Sequence, residues 1–347
     1  MKKSYLLFGL AMGTILIAGF IFSSSVFAGS AVKKTYRLTF ATQMPLGHLV
    51  SRSADLLAKR ASELSGGKIK IKHFAAGSLF KDKEIPEAVM SGGCSMGIAT
   101  SSRWAGHAPA NHFWELPFLF SNKEQVESVA DAVIPIIDKE LESKGGKLLG
   151  FVYYGDADAI GNTKRPVYRP GDLHGLKLRT FSALLNKGLE AAGAAPVVMS
   201  SAEVYTALQR RTIDGACSGT TTFVARKWME VSKYVTVVHG MICYPALAFT
   251  LGINKNVWDS MEPAAKKIMM QAAKEAWRYS SDEVLSETAK AIRTLRAQPN
   301  VKVKEIAFGS KEWKEWRKIM FEPAKARYLK IGGNKAPEVL KIVKKYE

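Results

Sequence analysis

The residue with the clearest chemical potential in this sequence is Arg179, which ends a short apolar strand predicted over 176–179. A guanidinium carries a planar fork of donors and can hold a carboxylate through two parallel hydrogen bonds. The carboxyl ends of strands are the edge at which α/β sheets bind ligands. Arg179 is therefore predicted to bind a carboxylate. The simpler alternative is that this arginine forms an ion pair with Asp172 or Glu203.

Two other polar residues directly follow predicted strands. Thr100 comes after an apolar strand over 94–99, and Gln43 comes after the alternating segment 35–42. Both residues lie at the carboxyl ends of their strands, so their side chains are predicted to lie, like Arg179, at the ligand-binding edge of a sheet. Gln43 can donate to or accept from a ligand hydroxyl or carboxylate, and its alternative role is to cap a loop.

One motif has the form of a catalytic site. The sequence G-A-C-S-G at 215–219 has the spacing of a nucleophile elbow, which would make Cys217 the nucleophile of a hydrolase. His239 is the one later histidine that could serve as its base. His107 and His112 flank a proline that prevents one-face helical spacing, so no metal ligand set is predicted. We therefore expect no cofactor, and a cysteine hydrolase that uses Cys217 is one alternative for the function.

The elements that position these residues follow an α/β pattern. A strand over 35–42, a helix over 48–64 and a strand over 68–72 form a β-α-β unit, so that parallel strands are expected. A long helix over 262–295 is predicted to span two lobes. The predicted boundaries are a signal peptide over 1–28, a first lobe over 29–155 and 246–285, a second lobe over 156–245 and 286–315, and C-terminal helices over 316–347.

The N-terminus has the pattern of an export signal. Two lysines precede an apolar run over 5–22, and small residues precede a cleavage site predicted after Ala28. An uncleaved membrane anchor is the alternative, because the apolar run is long for a signal. Cleavage after Ala28 would leave 347 − 28 = 319 exported residues of the 347, a length that suits two domains.

The chain is strongly basic, with a formal charge of +19. Its lysines and arginines are scattered and are not interleaved with stacking aromatic residues, so that no nucleic-acid partner is predicted. A basic surface can still draw anionic solutes toward a cleft.

Seven short motifs occur in the order and spacing typical of one family. They are Gly47-His48, A-G-S-L-F-K-D at 76–82, L-P-F-L-F at 116–120, K-R-P-V with D-L-H-G-L-K-L-R within 164–179, E-V-Y-T-A-L-Q at 203–209, I-D-G at 213–215 and M-E-V-S-K-Y-V-T at 229–236. With them the chain resembles the substrate-binding subunits of tripartite ATP-independent periplasmic (TRAP) transporters of the DctP type. The resemblance implies a two-lobed, periplasmic-binding-protein-like α/β fold with hinge crossings and a ligand cleft. It also implies a protein that is not an enzyme and that delivers an organic acid to membrane transporter subunits.

The resemblance also implies roles for single residues. Arg179 matches the family arginine that pairs with the ligand carboxylate, and Arg103 matches a second polar site position, with Trp104 beside it as an apolar wall. The sequence departs from the family pattern at two places. Asp158, with its neighbour Asp156, stands near the place of another arginine, and Ser218 or Gly219 stands near the place of an asparagine.

These departures favour a monocarboxylate over the common dicarboxylate and sialic-acid arrangements. The ligand body is expected to be aromatic or apolar, or else zwitterionic if an aspartate meets an ammonium group. The candidate aromatic walls, each of which could instead belong to the core, are Trp104, Phe181, Phe223 and Tyr244. A monomer that supplies a transporter is the expectation, and a periplasmic sensor that presents its ligand to a receptor is the alternative.

Overall fold

The computed structural model describes residues 32–156, 158–242 and 247–346, and their strands form two separate sheets. The strands are β1 (Tyr36–Thr42), β2 (Ile69–Phe74), β3 (Met96–Thr100), β4 (Gly146–Gly155), β5 (Ala159–Asn162), β6 (Lys177–Thr180), β7 (Ala195–Val198), β8 (Gly215–Ser218), β9 (Tyr234–Val238), β10 (Leu247–Asn254) and β11 (Lys302–Ile306). The helices are α1 (Leu49–Leu64), α2 (Ile85–Ser91), α3 (Lys123–Glu142), α4 (Ala183–Ala191), α5 (Val204–Gln209), α6 (Thr220–Ala225), α7 (Lys255–Asp259), α8 (Pro263–Arg296), α9 (Lys311–Ile331) and α10 (Ala336–Lys345). The two-lobed α/β architecture predicted from the sequence is confirmed, with one sheet at the centre of each lobe.

The first sheet has the strand order β2-β1-β3-β10-β4. β1 pairs in parallel with β2 and with β3, so that Thr42 and Thr100 end at the same edge of the sheet. β10 lies antiparallel between β3 and β4, and all of its residues are buried. A strand that is covered on both faces is a continuous apolar run in the sequence, and the segment 246–253 has that form.

The second sheet has the strand order β11-β9-β5-β8-β6-β7. β6 lies between β7 and β8 and is parallel to both. The carboxyl ends of these three strands, at Thr180, Val198 and Ser218, therefore lie along one edge. Parallel strands of this kind expose ligand-binding side chains where they end.

The glycine of the I-D-G motif is required by close packing inside the second sheet. A Cβ atom at Gly215 would lie 2.4 Å from the main-chain oxygen of Gly161 and 2.8 Å from Leu178 Cδ2. We expect Gly215→Ala to lower the free energy of unfolding by about 1–3 kcal/mol, because the paired strand must move away. Urea unfolding monitored by circular dichroism measures this change.

Gly171→Ala is the matched control for that substitution. A Cβ atom at Gly171 would meet no atom within 4 Å, and its φ is not in the left-handed region. This variant is expected to unfold within about 0.5 kcal/mol of the wild type. Equal unfolding midpoints for the two variants would contradict the packing argument.

The 34-residue helix α8 links the two lobes. It contacts α1 and β4 in the first lobe, and α6 and β11 in the second lobe. Within it, the Ser280 hydroxyl accepts a hydrogen bond of 3.0 Å from the main-chain nitrogen of Tyr153. The predicted helix spanning both lobes is confirmed. Among the helices of the described residues, α8 included, none combines the length and the apolar character needed to span a bilayer.

The fold differs from the sequence prediction at three places. The segment 155–163 is predicted to be a loop, but β5 forms inside it because β8 and β9 pair with both of its edges. The sequence did not indicate β9 itself. The single helix predicted over 222–233 is divided into α6 and a 3-10 turn over Trp228–Val231, since Lys227 adopts a left-handed φ of 57°.

Three of the predictions concern residues or boundaries that the described structure does not include. The signal peptide over 1–28 with cleavage after Ala28 lies outside the described residues, and so does Tyr244. The exact lobe boundaries remain predictions.

Candidate functional site

A cavity of about 270 Å³ lies between the two lobes, at the strand ends of both sheets. Residues of the first lobe on its wall are Gln43, Met44, Lys81, Asp82, Lys83, Thr100, Arg103, Tyr154, Leu247 and Phe249. Residues of the second lobe on its wall are Arg179, Phe181, Val198, Met199, Ser200, Ser201, Glu203, Ser218 and Thr222. The structure thus brings together six of the predicted site residues: Gln43, Thr100, Arg103, Arg179, Phe181 and Ser218. A cavity of this size suits a solute on the order of ten non-hydrogen atoms.

Arg179 lies in β6 with its side chain almost fully buried. Its Nε donates to the main-chain oxygen of Met199 at 2.9 Å, and its Nη1 donates to that of Cys217 at 3.2 Å. Within the described parts of the chain no carboxylate forms an ion pair with it, and the proposed partner Asp172 instead pairs with Arg169. Burial lowers the pKa of the Arg179 guanidinium to about 10. The two carbonyl bonds hold this cation in place without neutralising it.

Arg103, by contrast, has a carboxylate partner. Its Nε donates to Asp82 Oδ2 at 2.9 Å. Asp82 also accepts hydrogen bonds from the Thr100 main-chain nitrogen at 3.1 Å and from the Thr100 hydroxyl at 3.0 Å. The two charges therefore balance within the protein, and Thr100 helps to fix the pair. Asp82 was not singled out from the sequence, although it ends the A-G-S-L-F-K-D motif.

Hydroxyl groups and one aromatic stack form another part of the wall. The Tyr154 hydroxyl and the Ser218 hydroxyl lie 3.1 Å apart in a hydrogen bond, and burial raises the pKa of Tyr154 to about 12. The Tyr154 and Phe249 rings are stacked with centroids 4.9 Å apart. Thr222 is buried, and its hydroxyl has no hydrogen-bond partner among the described residues. The wall thus offers hydrogen bonds to hydroxyl groups and a flat apolar surface.

Gln43 connects the two lobes at this cavity. Its Oε1 accepts a hydrogen bond of 3.3 Å from the Ser201 hydroxyl, and its main-chain oxygen accepts one of 3.2 Å from Arg226 Nη2. Ser201 and Arg226 both belong to the second lobe. The predicted position of Gln43 in the cleft is observed, and it makes interlobe bonds that the sequence did not indicate.

Three predicted site residues lie away from the cavity. Trp104 is fully buried in the first lobe, where its ring packs against Gly252 of β10. Phe223 is buried against Trp228 in the core of the second lobe, with ring centroids 5.3 Å apart. Asp158 accepts hydrogen bonds from the main-chain nitrogens of Gly240 at 2.8 Å and Ile242 at 3.2 Å. Their side chains are occupied by packing and by main-chain partners, so the structure assigns them structural roles.

Asp156, the other aspartate considered for an ammonium group, is also turned away. It accepts a hydrogen bond of 2.8 Å from the Thr220 hydroxyl and is almost fully buried. Burial raises the pKa of Asp156 and raises that of Asp158 well above its ordinary value, and the two carboxyls repel each other. The zwitterion hypothesis loses the residues on which it rested.

The cysteine hydrolase alternative is not supported by the site geometry. The Cys217 thiol is fully buried, and burial raises its pKa to about 12. The predicted base His239 is hydrogen-bonded through Nε2 to Glu305 Oε1 at 2.7 Å, so that this ring nitrogen is already engaged. A protonated, inaccessible thiol is a poor nucleophile. The described residues also contain no group of three or more His, Cys, Asp or Glu side chains placed to hold a metal ion.

The fold places a cleft between two lobes, at the strand ends of both sheets, and Arg179 is held in that cleft. This arrangement is that of a solute-binding protein. The model of the DctP family, described as bacterial extracellular solute-binding protein family 7, matches residues 40–330. The chain belongs to this family, whose TRAP members are periplasmic.

Known relatives extend the comparison. The 2,3-diketo-L-gulonate-binding periplasmic protein YiaO of Escherichia coli is 30% identical over 81% of this chain and 84% of its own. The C4-dicarboxylate-binding periplasmic protein DctP of Rhodobacter capsulatus is 27% identical over 78% of this chain and 79% of its own. A TRAP solute-binding protein from Polaromonas, solved with bound D-erythronate, has a TM-score of 0.79 and 25% identity. The match covers 89% of this chain and 98% of that one.

Proposed function

We propose that this protein captures a small organic acid with a single carboxylate and delivers it to the membrane subunits of a TRAP transporter. Arg179 receives the carboxylate, and closure of the two lobes encloses the solute. The observation that carries the proposal is the charge of Arg179, which no carboxylate in the described parts of the chain neutralises, beside a cavity of about 270 Å³. A buried cation without a counter-charge is costly, and a carboxylate from the solute removes that cost.

The pairing of Arg103 supports a single carboxylate. A dicarboxylate needs a second unpaired cation on the buried wall of the cavity. Asp82 already neutralises Arg103, and Arg226, although unpaired among the described residues, is not one of the wall residues. Lys81 and Lys83 also line the cavity, but both side chains are exposed, so water already solvates their charges. The second end of the solute is therefore expected to carry hydroxyl or apolar groups.

The remaining wall indicates the body of the solute. Hydroxyls of Tyr154, Ser218 and Thr222 suit a hydroxylated acid, while the stacked rings of Tyr154 and Phe249 suit a flat apolar face. The relatives named for 2,3-diketo-L-gulonate and D-erythronate handle acids with one carboxylate and several hydroxyls. We infer a hydroxylated or aromatic monocarboxylate, bound by a monomer in the periplasm after removal of residues 1–28.

A ligand screen tests this proposal. The purified protein is screened by thermal shift against hydroxylated monocarboxylates such as D-erythronate, aromatic monocarboxylates, succinate and zwitterionic amino acids, and hits are measured by calorimetry. Stabilisation is expected to be largest for a monocarboxylate, since ligand binding raises the unfolding temperature in proportion to affinity and concentration. A larger thermal shift and a higher affinity for succinate or for the zwitterions would contradict the single-carboxylate proposal.

A further inference from the structure

Arg226 is a second cation that forms no ion pair with a carboxylate of the described residues, and it lies at the interface between the lobes. It follows α6 and donates from Nη2 to the main-chain oxygen of Gln43 at 3.2 Å. Its Nε is buried and has no hydrogen-bond partner among the described residues, none of which forms an ion pair with it. Burial lowers the pKa of Arg226, and the weaker electrostatic influence of Tyr154 and Asp82 acts to raise it.

Because Arg226 bonds to Gln43 of the opposite lobe, its burial depends on the distance between the two lobes. Gln43 follows β1 of the first lobe, and the guanidinium belongs to the second lobe. The Ser201 hydroxyl reaches the Gln43 side chain across the same interface at 3.3 Å. Separation of the lobes would break both bonds and return the guanidinium to water.

The charges around the cavity between the lobes do not balance. Arg103 and Asp82 neutralise each other at 2.9 Å, which leaves Arg179 and Arg226 as the uncompensated buried or half-buried cations of the described site. The other charged residues on the cavity wall are Lys81, Lys83 and Glu203. Glu203 is exposed and pairs with neither arginine among the described residues. Desolvating two cations without a buried anion opposes closure, because charges interact strongly where the local dielectric constant is low.

We propose that Arg226 is a specificity-determining residue that makes closure of the lobes depend on the negative charge of the solute. The inference rests on the proposed function, since the charge is supplied by the bound organic acid. Without an anion, hydration of Arg226 holds the lobes apart. With a carboxylate on Arg179, the excess positive charge falls and the bond from Arg226 to Gln43 forms.

The test compares the ligand-free wild type with Arg226→Gln, Arg226→Met and Arg226→Lys. Bound solute is first removed by dialysis in denaturant, followed by refolding. Spin labels on Lys59→Cys in α1 and Lys187→Cys in α4 then report the distance between the lobes by double electron–electron resonance. Both sites are exposed, the native Cys94 and Cys217 are buried, and Cys243→Ser removes the remaining thiol.

The neutral variants should close without ligand, and the lysine variant should not. We expect the closed population of ligand-free Arg226→Gln and Arg226→Met to rise at least about fivefold, the lower end for coupling between sites. Arg226→Lys keeps the charge and should match the wild type. The inference would be overturned if the neutral variants had the distance distribution of the wild type. It would also be overturned if the closed population fell in all three variants, because the bond from Arg226 to Gln43 would then only hold the lobes together.

A second readout uses D-erythronate and its uncharged primary amide as probes. Arg226→Gln should narrow the ratio of the two affinities at least about fivefold relative to the wild type, because closure no longer requires an anion. An unchanged ratio contradicts the role of Arg226. Failure of every organic acid to bind the wild type would instead reject the proposed function, and the ligand-free distances would still decide the role of Arg226.

Discussion

Replacing Arg179 by methionine should abolish organic-acid binding while leaving the ligand-free protein at least as stable as the wild type. Truncating one partner of a buried charge pair typically costs about 2–5 kcal/mol, which is roughly a 30-fold or greater loss of affinity. The ligand-free protein gains instead, because Arg179 is buried without a carboxylate partner in the described chain and its pKa is lowered by that burial. Calorimetry measures the affinity, and thermal unfolding measures the stability.

Arg103→Met is the matched control in the same cavity. Arg103 pairs with Asp82 at 2.9 Å, so its removal leaves the Asp82 carboxylate without its cation. Breaking a partly buried pair in this way destabilises a protein, whereas removing a lone buried cation does not. We expect a lower unfolding temperature for Arg103→Met than for Arg179→Met. Near-normal affinity in Arg179→Met would show that the carboxylate binds elsewhere.

Glu115 should make the folded protein less stable as the pH rises. This residue ends the 3-10 turn over Pro109–Glu115 and is completely buried, with its Oε1 accepting a hydrogen bond of 3.3 Å from the Ser102 main-chain nitrogen. Burial raises the pKa of Glu115 from 4.5 to about 7, although the hydroxyls of Ser102 and Ser182 and the charge of Arg103 favour the ionised form.

The direction of the effect follows from proton binding. Between pH 4.5 and about 7 the folded protein holds a proton on Glu115 that the unfolded chain has released. Stability therefore falls as the pH rises through this window, by on the order of 3 kcal/mol, and the loss is complete above pH 7. Glu115→Gln cannot ionise, so this variant should gain stability relative to the wild type at pH 8 and lose that advantage at pH 5.

Urea unfolding between pH 5 and 8 measures this difference. Glu124→Gln is the matched control, because Glu124 is exposed in the first turn of α3 and its substitution should leave the pH profile parallel to that of the wild type. A profile for Glu115→Gln that also runs parallel to the wild type would show that Glu115 does not hold its proton near neutral pH.

The sequence predicted those parts of the fold and site that depend on local pattern. Strand and helix periodicity located β1, α1 and α8, and the apolar strand before Arg179 placed the guanidinium at a sheet edge. The cavity contains Arg179, which precedes the last residue of β6, Thr100, which ends β3, and Gln43, which directly follows β1.

The rest depends on contacts between distant segments. The short strand β5 is stabilised by neighbours on both edges, and no local pattern marks it. Trp104 fills the space above Gly252, about 150 positions along the chain, and periodicity cannot distinguish such a core ring from a ligand wall. The pairing of Arg103 with Asp82 likewise appears only when the loops after β2 and β3 meet.

The most direct test of the central claim is a crystal structure of the protein purified without denaturation, together with mass spectrometry of the solute it retains. The account predicts an organic acid in the cleft with its single carboxylate on the Arg179 guanidinium, while Asp82 still pairs with Arg103. A retained solute without a carboxylate, or a carboxylate bound elsewhere while Arg179 keeps only its bonds to Met199 and Cys217, would contradict it.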